Sequence, residues 1–410
     1  MSSAISDPSY DVIDEVSTKS GVIESPDKIW FRKLVSSVVD ADRCTQCGGC
    51  IAACPSKSIS IAEDNKPTLV KMCTGCSFCW YVCPRGGLRY ERLWSLVGGA
   101  KAAEDIGEVK AAYTAKSIAI NRKSQDGGVV TAMLEALFKN GEIDGAIIAA
   151  NSGPFKGEAR IATSIEEIRA SAGSVYSQTL SLSELVNSST NDLDKLSKLA
   201  FVGTPCQISG LRFLQRFNWR YRTGGAEKVK YAIALMCTRS FHPGRLIQQL
   251  KSEGVEIKLV KKMDVKENII KLYDKDGALL FESDAKKFRS AALKGCEECA
   301  DFTGRLSDVT VGSVGSAKGF STVLIRTSQG ERVWTLSKEF VEGKKLENLE
   351  AISRVEQKNL KKAIRGLRRE FNPESLLWIS YSDHLKNYLG SDKPPVKPSS
   401  YRIHHYETSC

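Results

Sequence analysis

The chain has 410 residues, 42% of them hydrophobic and 26% charged, with a formal charge of +11. That is enough chain for two or three domains with real cores, and no apolar run in it is long enough to span a bilayer. The opening residues, MSSAISDPSYDVIDEV, carry neither a basic nor an apolar signal region, so a cytoplasmic protein is expected. In that setting the thirteen cysteines read as metal or redox groups rather than as disulfides. The positive charge suits an anionic ligand, an acidic redox partner or nucleic acid, and equally plain solubility.

Residues 1–35 read as a polar leader without periodicity. A domain over 36–95 follows, and it holds the strongest motif. Residues 44–55 are CTQCGGCIAACP and residues 73–84 are CTGCSFCWYVCP. Each is C-x-x-C-x-x-C-x-x-x-C-P, the bacterial ferredoxin run, in which the fourth cysteine serves the other cluster. The spacing therefore assigns Cys44, Cys47, Cys50 and Cys83 to one [4Fe-4S] cluster, and Cys54, Cys73, Cys76 and Cys79 to a second. Zinc knuckles are paired C-x-x-C units and give no reason for two copies of this asymmetric pattern. SISIAEDNKPTLV, between the runs, fits a hairpin.

After the linker GGAKAAEDIGEVKAAY, residues 105–335 read as alternating strands and helices, which favours parallel pairing. SQDGGVVTAMLEALFKNG predicts a loop and then a helix, with Val129, Val130, Met133, Leu134, Leu137 and Phe138 at helical spacing and Asn140-Gly141 as its stop. DGAIIAA (144–150) is a buried strand. KLAFVGTPCQISGLRFL is a strand, a tight turn at Gly203-Thr204-Pro205 and a helix start. KYAIALMC (230–237) is another apolar strand, and SDVTVGSVGSAKGFSTVLIRT gives two strands around a Gly-rich loop. Cys206 and Cys237 each follow the end of a strand. With Cys296 and Cys299, a C-x-x-C pair, they are candidates for a third four-thiol site along one sheet edge. Single cysteines after strands are also commonly small buried hydrophobes, so the residues alone leave both readings open.

SQDGG at a helix start either brings N–H groups to a phosphate or is a plain capping turn. GSVGSAKG (312–319) either cradles phosphates or is only a hairpin connection. The four histidines form no metal constellation. Residues 336–410 read as a helical basic tail, with Leu360, Ile364, Leu367 and Phe371 on one face beside Lys358, Lys361, Lys362, Arg365, Arg368 and Arg369. A solvated helix packed on the body is favoured over docking to an acidic partner, and nucleic-acid binding is not expected. Cys410 has no partner in this scheme.

The two ferredoxin runs, SQDGGVVTAMLEAL, GEIDGAII, AGSVYSQ, VGTPCQISGLR, LMC and CEECADFTGRLSDVTVGSVGSAKGFSTVLIRTSQG occur in one order over about residues 40–335. In that order the chain resembles the family of beta subunits of coenzyme F420 hydrogenases and dehydrogenases, in its longer form with a fused two-cluster ferredoxin domain. The resemblance implies an α/β flavin-binding domain preceded by an α+β bacterial-type 2[4Fe-4S] ferredoxin domain. It implies FAD, coenzyme F420 as substrate, and a third cluster at Cys206, Cys237, Cys296 and Cys299. The residues it marks for cofactor contact are Ser124, Gln125, Asp126, Gly127 and Gly128, with Thr204, Gly312, Gly315, Lys318 and Gly319. Arg122, Lys123 and Lys318 are candidates for a basic entrance. The implied activity is hydride transfer between F420 and FAD, with single electrons passing to or from a partner protein or complex and no acid or base residue required. The alternatives are a ferredoxin-dependent reductase of another ring compound, such as a tetrapyrrole, and a non-catalytic electron-wiring subunit.

Overall fold

The computed structural model describes residues 30–86, 93–94, 97–103, 105–119, 124–153, 155–186, 192–216, 224–266 and 268–369. An N-terminal ferredoxin-like 4Fe-4S domain precedes a mixed α/β sheet domain. The first domain contains an antiparallel hairpin, β1 (Ile59–Ile61) and β2 (Pro67–Leu69), between two four-residue helices, Gly49–Ala52 and Phe78–Tyr81. Trp30 caps a helical stretch from Phe31 to Val39, in which Phe31, Leu34, Val38 and Val39 are buried. Core packing is present from Phe31, while Trp30 itself is exposed. The apolar spacing there is too short to register as periodicity.

The α/β domain is built on an eight-stranded sheet in the order β13-β3-β12-β11-β7-β6-β4-β5. The strands are β3 (Ala111–Ser117), β4 (Gly145–Gly153), β5 (Lys156–Ala162), β6 (Leu199–Gly203), β7 (Val229–Leu235), β11 (Val309–Gly312), β12 (Ser321–Ile325) and β13 (Val341–Lys345). The expected parallel pairing holds for the central four, β11, β7, β6 and β4. The outer strands pair antiparallel, because β4–β5 and β11–β12 are joined by hairpin connections too short for a crossover. The Gly-rich stretch after β11 is one of these connections.

Residues alternate across the central strands because both faces are covered. Ile147, Leu199, Phe201, Ala232 and Ala234 face one core, while Ala146, Ile148, Ala200, Val202, Tyr231 and Ile233 face the other. On the second side lie α1 (Val129–Lys139) and α4 (Ser328–Ser337). On the first lie α2 (Pro205–Arg216) and the ferredoxin residues Cys47, Ala52, Ala53 and Val82. α1 stops at Asn140 and Gly141, as its sequence predicts.

A three-stranded antiparallel sheet, β8 (Lys262–Lys266), β9 (Ile269–Tyr273) and β10 (Leu279–Asp284), packs with α3 (Pro243–Ser252) around Phe241, Leu246, Ile270, Leu272 and Phe288. The large sheet runs past residue 335. β13 pairs with β3 beyond it, so the sheet reaches Lys345. Only Val341 of β13 is buried, so the strand has no apolar pattern to read, and its lysines suit an exposed edge. α5 (Glu350–Arg369) packs on the turn Lys294–Glu298, with Ile352 and Ala363 buried. Of the apolar face expected on that helix, Phe371 lies outside the described residues, as does Cys410.

The two domains share a seam of main-chain and buried ionic contacts. The amides of Leu180 and Leu182 donate to the carbonyls of Gln46 and Cys47 at 3.1 and 3.2 Å. Arg43 reaches Glu298 through Nε (2.7 Å) and Nη2 (2.5 Å), and both side chains are buried. Arg85 Nε donates to Gly295 O at 2.6 Å. Gly48 has φ +86°, and a Cβ on it would strike the Leu180 carbonyl, so only glycine lets the ferredoxin loop seat here.

Candidate functional site

The two cysteine runs fold as copies of one loop. Gln46 and Gly75, each two residues after the first cysteine, have φ of 52° and 69°. Gly48 and Ser77, each following the second cysteine, have φ of 86° and 67°. The left-handed turns curl the chain so that the amides of Gln46 and Gly75 donate to Cys44 and Cys73 Sγ, both at 3.4 Å. Serine and glutamine occupy left-handed positions at some strain, held by the surrounding loop.

The thiols of the two runs feel one another within and across the groups expected from spacing, with Cys79 also felt at Cys50 and Cys83 at Cys79. Burial pushes Cys44 up to about 12, opposed by the Gln46 amide and reinforced by Cys83 and Cys47. Burial also raises Cys83 to about 12, with Cys47 adding to it. Cys50 is raised well above its usual range by burial and then by Cys44, Cys47 and Cys83. In the other group, burial raises Cys79, with Cys76, Cys73 and Cys54 next. Cys54, Cys73, Cys76 and Cys79 line one cavity, together with Ser56, Ser58, Ile59, Thr74 and Ser77. In each group the fourth thiol comes from the other run.

Cys206, Cys237, Cys296 and Cys299 converge along the sheet edge where the parallel strands end. At the start of α2 the Thr204 amide and hydroxyl both donate to Gln207 Oε1, at 2.9 and 3.2 Å, and Cys206 lies in the first helical turn. Cys237 follows β7, and its amide donates to Phe302 O at 3.0 Å. Cys296 Sγ accepts from the Ser240 amide at 3.4 Å. Burial raises Cys206 well above its usual range, with Cys47, Cys299 and Cys237 among its charged neighbours. Burial raises Cys237 to about 12, then Cys296 and Cys299. All twelve cysteines among the described residues are free thiols. No group of three or more His, Cys, Asp or Glu among those residues closes on a single ion.

The remaining candidates lie along the same edge. Gly127 sits where β3 ends and β12 begins. Its carbonyl accepts from Ser117 N, and its amide donates to Ser321 Oγ at 3.2 Å. A Cβ there would lie 2.5 Å from Ala115 O, so backbone packing alone already demands glycine. Gly128, at φ +68°, caps α1. Ser124 Oγ bonds Asp126 O at 3.3 Å. The side chains of Gln125 and Asp126 bond Asp264 and Lys266, tying the loop to β8. Thr204 Oγ1 lies 3.2 Å from Cys206 Sγ. Gly312 ends β11 against Met236, and Gly315, Lys318 and Gly319 occupy the exposed connection to β12. Arg122 and Lys123 lie outside the described residues.

Sequence reasoning missed the groups that join these pieces. Gln178 Nε2 donates to Ser240 Oγ (3.0 Å) and Thr204 Oγ1 (3.3 Å), linking three loops around Cys206. Arg85, two residues after Cys83, is felt by Cys47, Cys83 and Cys296. Its place directly after the C-P end of the run was the available signal.

Residues 36–84 match the model of a 4Fe-4S dicluster domain. Residues 111–187 and 196–349 match the N-terminal and C-terminal models of the coenzyme F420 hydrogenase/dehydrogenase beta subunit. The coenzyme F420-dependent sulfite reductase of Methanocaldococcus jannaschii is 33% identical over 84% of this chain, and the chain spans 54% of that protein's length. An F(420)H(2) dehydrogenase subunit of Methanosarcina mazei is 29% identical over 75% of this chain and 86% of its own length. The beta subunit of the coenzyme F420 hydrogenase of Methanothermobacter thermautotrophicus is 32% identical over 56% of this chain and 81% of its own. In fold, 72% of the chain superposes on 98% of a chain in the F420-reducing [NiFe] hydrogenase complex of Methanosarcina barkeri, with a TM-score of 0.60 at 24% identity. Among the described residues no helix is long and apolar enough to cross a membrane. With its two halves matched in order behind a dicluster domain, the chain belongs to the family of coenzyme F420 hydrogenase/dehydrogenase beta subunits.

Proposed function

We propose that this chain is an iron–sulfur flavoprotein of the cytoplasm that moves hydride between coenzyme F420 and FAD and exchanges single electrons with a partner protein. The observation that supports the reading is that Cys206 and Cys47 belong to one buried hydrophobic cluster, so that Cys206 lies near the first ferredoxin group. Three four-thiol sites then stand in sequence: an inner one at Cys206, Cys237, Cys296 and Cys299, a middle one at Cys44, Cys47, Cys50 and Cys83, and an outer one at Cys54, Cys73, Cys76 and Cys79.

The donor sets fit clusters. Each is four free cysteines, and the middle and inner sets include buried thiols, Cys47 in one and Cys206 and Cys296 in the other, where a thiolate without metal would be costly. When bound, FAD would supply the exchange between two-electron and one-electron chemistry, and the clusters a one-electron relay. The chain's own part is placement. The tie between Asp126 and Lys266 holds the loop 124–128 against β8, and Gln178 fixes the loops of Thr204 and Ser240. These loops, with the 312–319 connection, form the edge to which we assign the FAD and F420 contacts. Exposed Lys318, with Arg122 and Lys123, would meet the anionic tail of F420. On this reading 36–95 relays electrons and 105–335 carries out the hydride exchange.

The test is anaerobic. Purified protein supplied with FAD is mixed with reduced F420 and a viologen dye. Dye reduction is the expected result. A sample with full iron and flavin that reduces no dye would overturn the F420 reading and favour another ring substrate. Failure to retain any flavin would favour the wiring reading.

A further inference from the structure

The family match ends at residue 349, and α5 begins at Glu350. Yet α5 makes three separate polar contacts with the loops that carry the inner thiols. Glu356 accepts from the amides of Phe302 (3.0 Å) and Thr303 (3.1 Å) and pairs with buried Arg305 at 2.9 Å. Asn359 Nδ2 donates to Cys299 O at 3.0 Å. Lys362 Nζ donates to Thr238 O at 2.8 Å, one residue from Cys237. Residues 356, 359 and 362 follow one another at helical spacing and so form a single stripe. The helix packs directly on the turn that holds Cys296.

We propose that α5 is a working part of the inner site, closing it over Cys299 and placing the charge of Lys362 where it sets the reduction potential of a cluster bound there. The proposal rests on the reading that Cys206, Cys237, Cys296 and Cys299 hold a cluster. Lys362 acts as a positioning residue, through the field it applies. A cluster with four thiolate ligands is anionic and gains a further negative charge on reduction. A fixed cation nearby favours the reduced form, and it does so strongly where the local dielectric is low. The field of Lys362 reaches the thiols of Cys299, Cys296 and Cys237, and burial lowers its own proton affinity. Arg239 and Arg85 are further basic groups felt at these thiols. The ordinary alternative, a helix that only packs on the body, accounts for Ile352 and Ala363 but not for the polar stripe.

The experiment is a redox titration of the reconstituted full chain, followed by electron paramagnetic resonance, with iron measured on the same samples. In Lys362→Gln, one cluster signal is expected to titrate at more negative potential while the other two hold. Lys362→Arg restores it, and Lys361→Gln, on the exposed neighbour, moves none. Selective loss of about four irons in Lys362→Gln, regained in Lys362→Arg, would also support the role. Full iron in Lys362→Gln with all three potentials unchanged would reduce α5 to packing. About eight irons in the unaltered chain, instead of about twelve, would remove the inner cluster and the proposal with it.

Discussion

Cys296 and Cys299 lie in a turn whose neighbours Gly295, Glu298, Ala300 and Asp301 are buried, whereas Cys73 lies beside Lys71, Met72 and Thr74, all exposed. The inner site has buried arginines and a half-buried lysine around it. The outer site has the hydroxyls of Ser56 and Ser58 and a cavity. On the proposed assignment the ligands are the same, so the surroundings must make any difference in potential and access. Hydrogen bonds to sulfur, local charge and solvent exposure are the levers available. The comparison teaches that the inner site belongs to the α/β sheet and its seam, while the outer site belongs to the surface.

The seam is where that contrast breaks most easily. Glu298→Ala removes the counter-charge of the buried Arg43 guanidinium, which still donates to Ser37 O, and should cost about 3–5 kcal/mol. An apolar pair, Arg43→Met with Glu298→Leu, should recover most of it, as urea unfolding would show. A single variant as stable as the parent would mean that the seam does not hold the inner turn. Iron counts sharpen the contrast further. Cys206→Ser and Cys76→Ser should each remove about four irons per chain, but different ones, so their resonance spectra should be complementary. Identical residual spectra would undo the division into inner and outer sites.

Smaller effects should follow the same line. Glu184 lies in the turn of residues 181–185 that packs on the ferredoxin loop, and burial raises its carboxyl to about 7. Folding therefore takes up a proton between its ordinary pKa of 4.5 and 7, so stability falls as pH rises through that window. Glu184→Gln should flatten this slope, with a gain of about 1–3 kcal/mol at pH 8 relative to pH 4. Asp126→Asn loosens a partly exposed tie, worth about 1 kcal/mol or less, and should weaken FAD retention more than stability. Met72→Gln, at a side chain 90% exposed, should change stability by less than about 0.5 kcal/mol.

The cysteine runs were legible because cluster ligation is written in local spacing, and the β6 and β7 strands because both are apolar runs closed by turn residues. The sheet-edge thiols were half legible. Strand ends could be read for Cys206 and Cys237, but their meeting with Cys296 depends on strand order, which no local pattern encodes. β13 escaped because an edge strand with one buried residue has no period to detect. Arg43 and Glu298 are 255 residues apart, and nothing at either position names the other. The polar stripe of α5 was masked by its basic face, which reads as solvated surface until the loops beneath it are seen.

Exposed Met72 beside Cys73 also implies how the molecule ages in air. Oxidants attack accessible sulfur first, turning the thioether into a polar sulfoxide and degrading nearby thiolates. Damage should therefore run from the surface inward. On the proposed function, a protein left aerobically would fall silent towards its partner while its α/β end still received hydride. A stored sample could then pass a flavin-reduction assay and fail every assay of delivery.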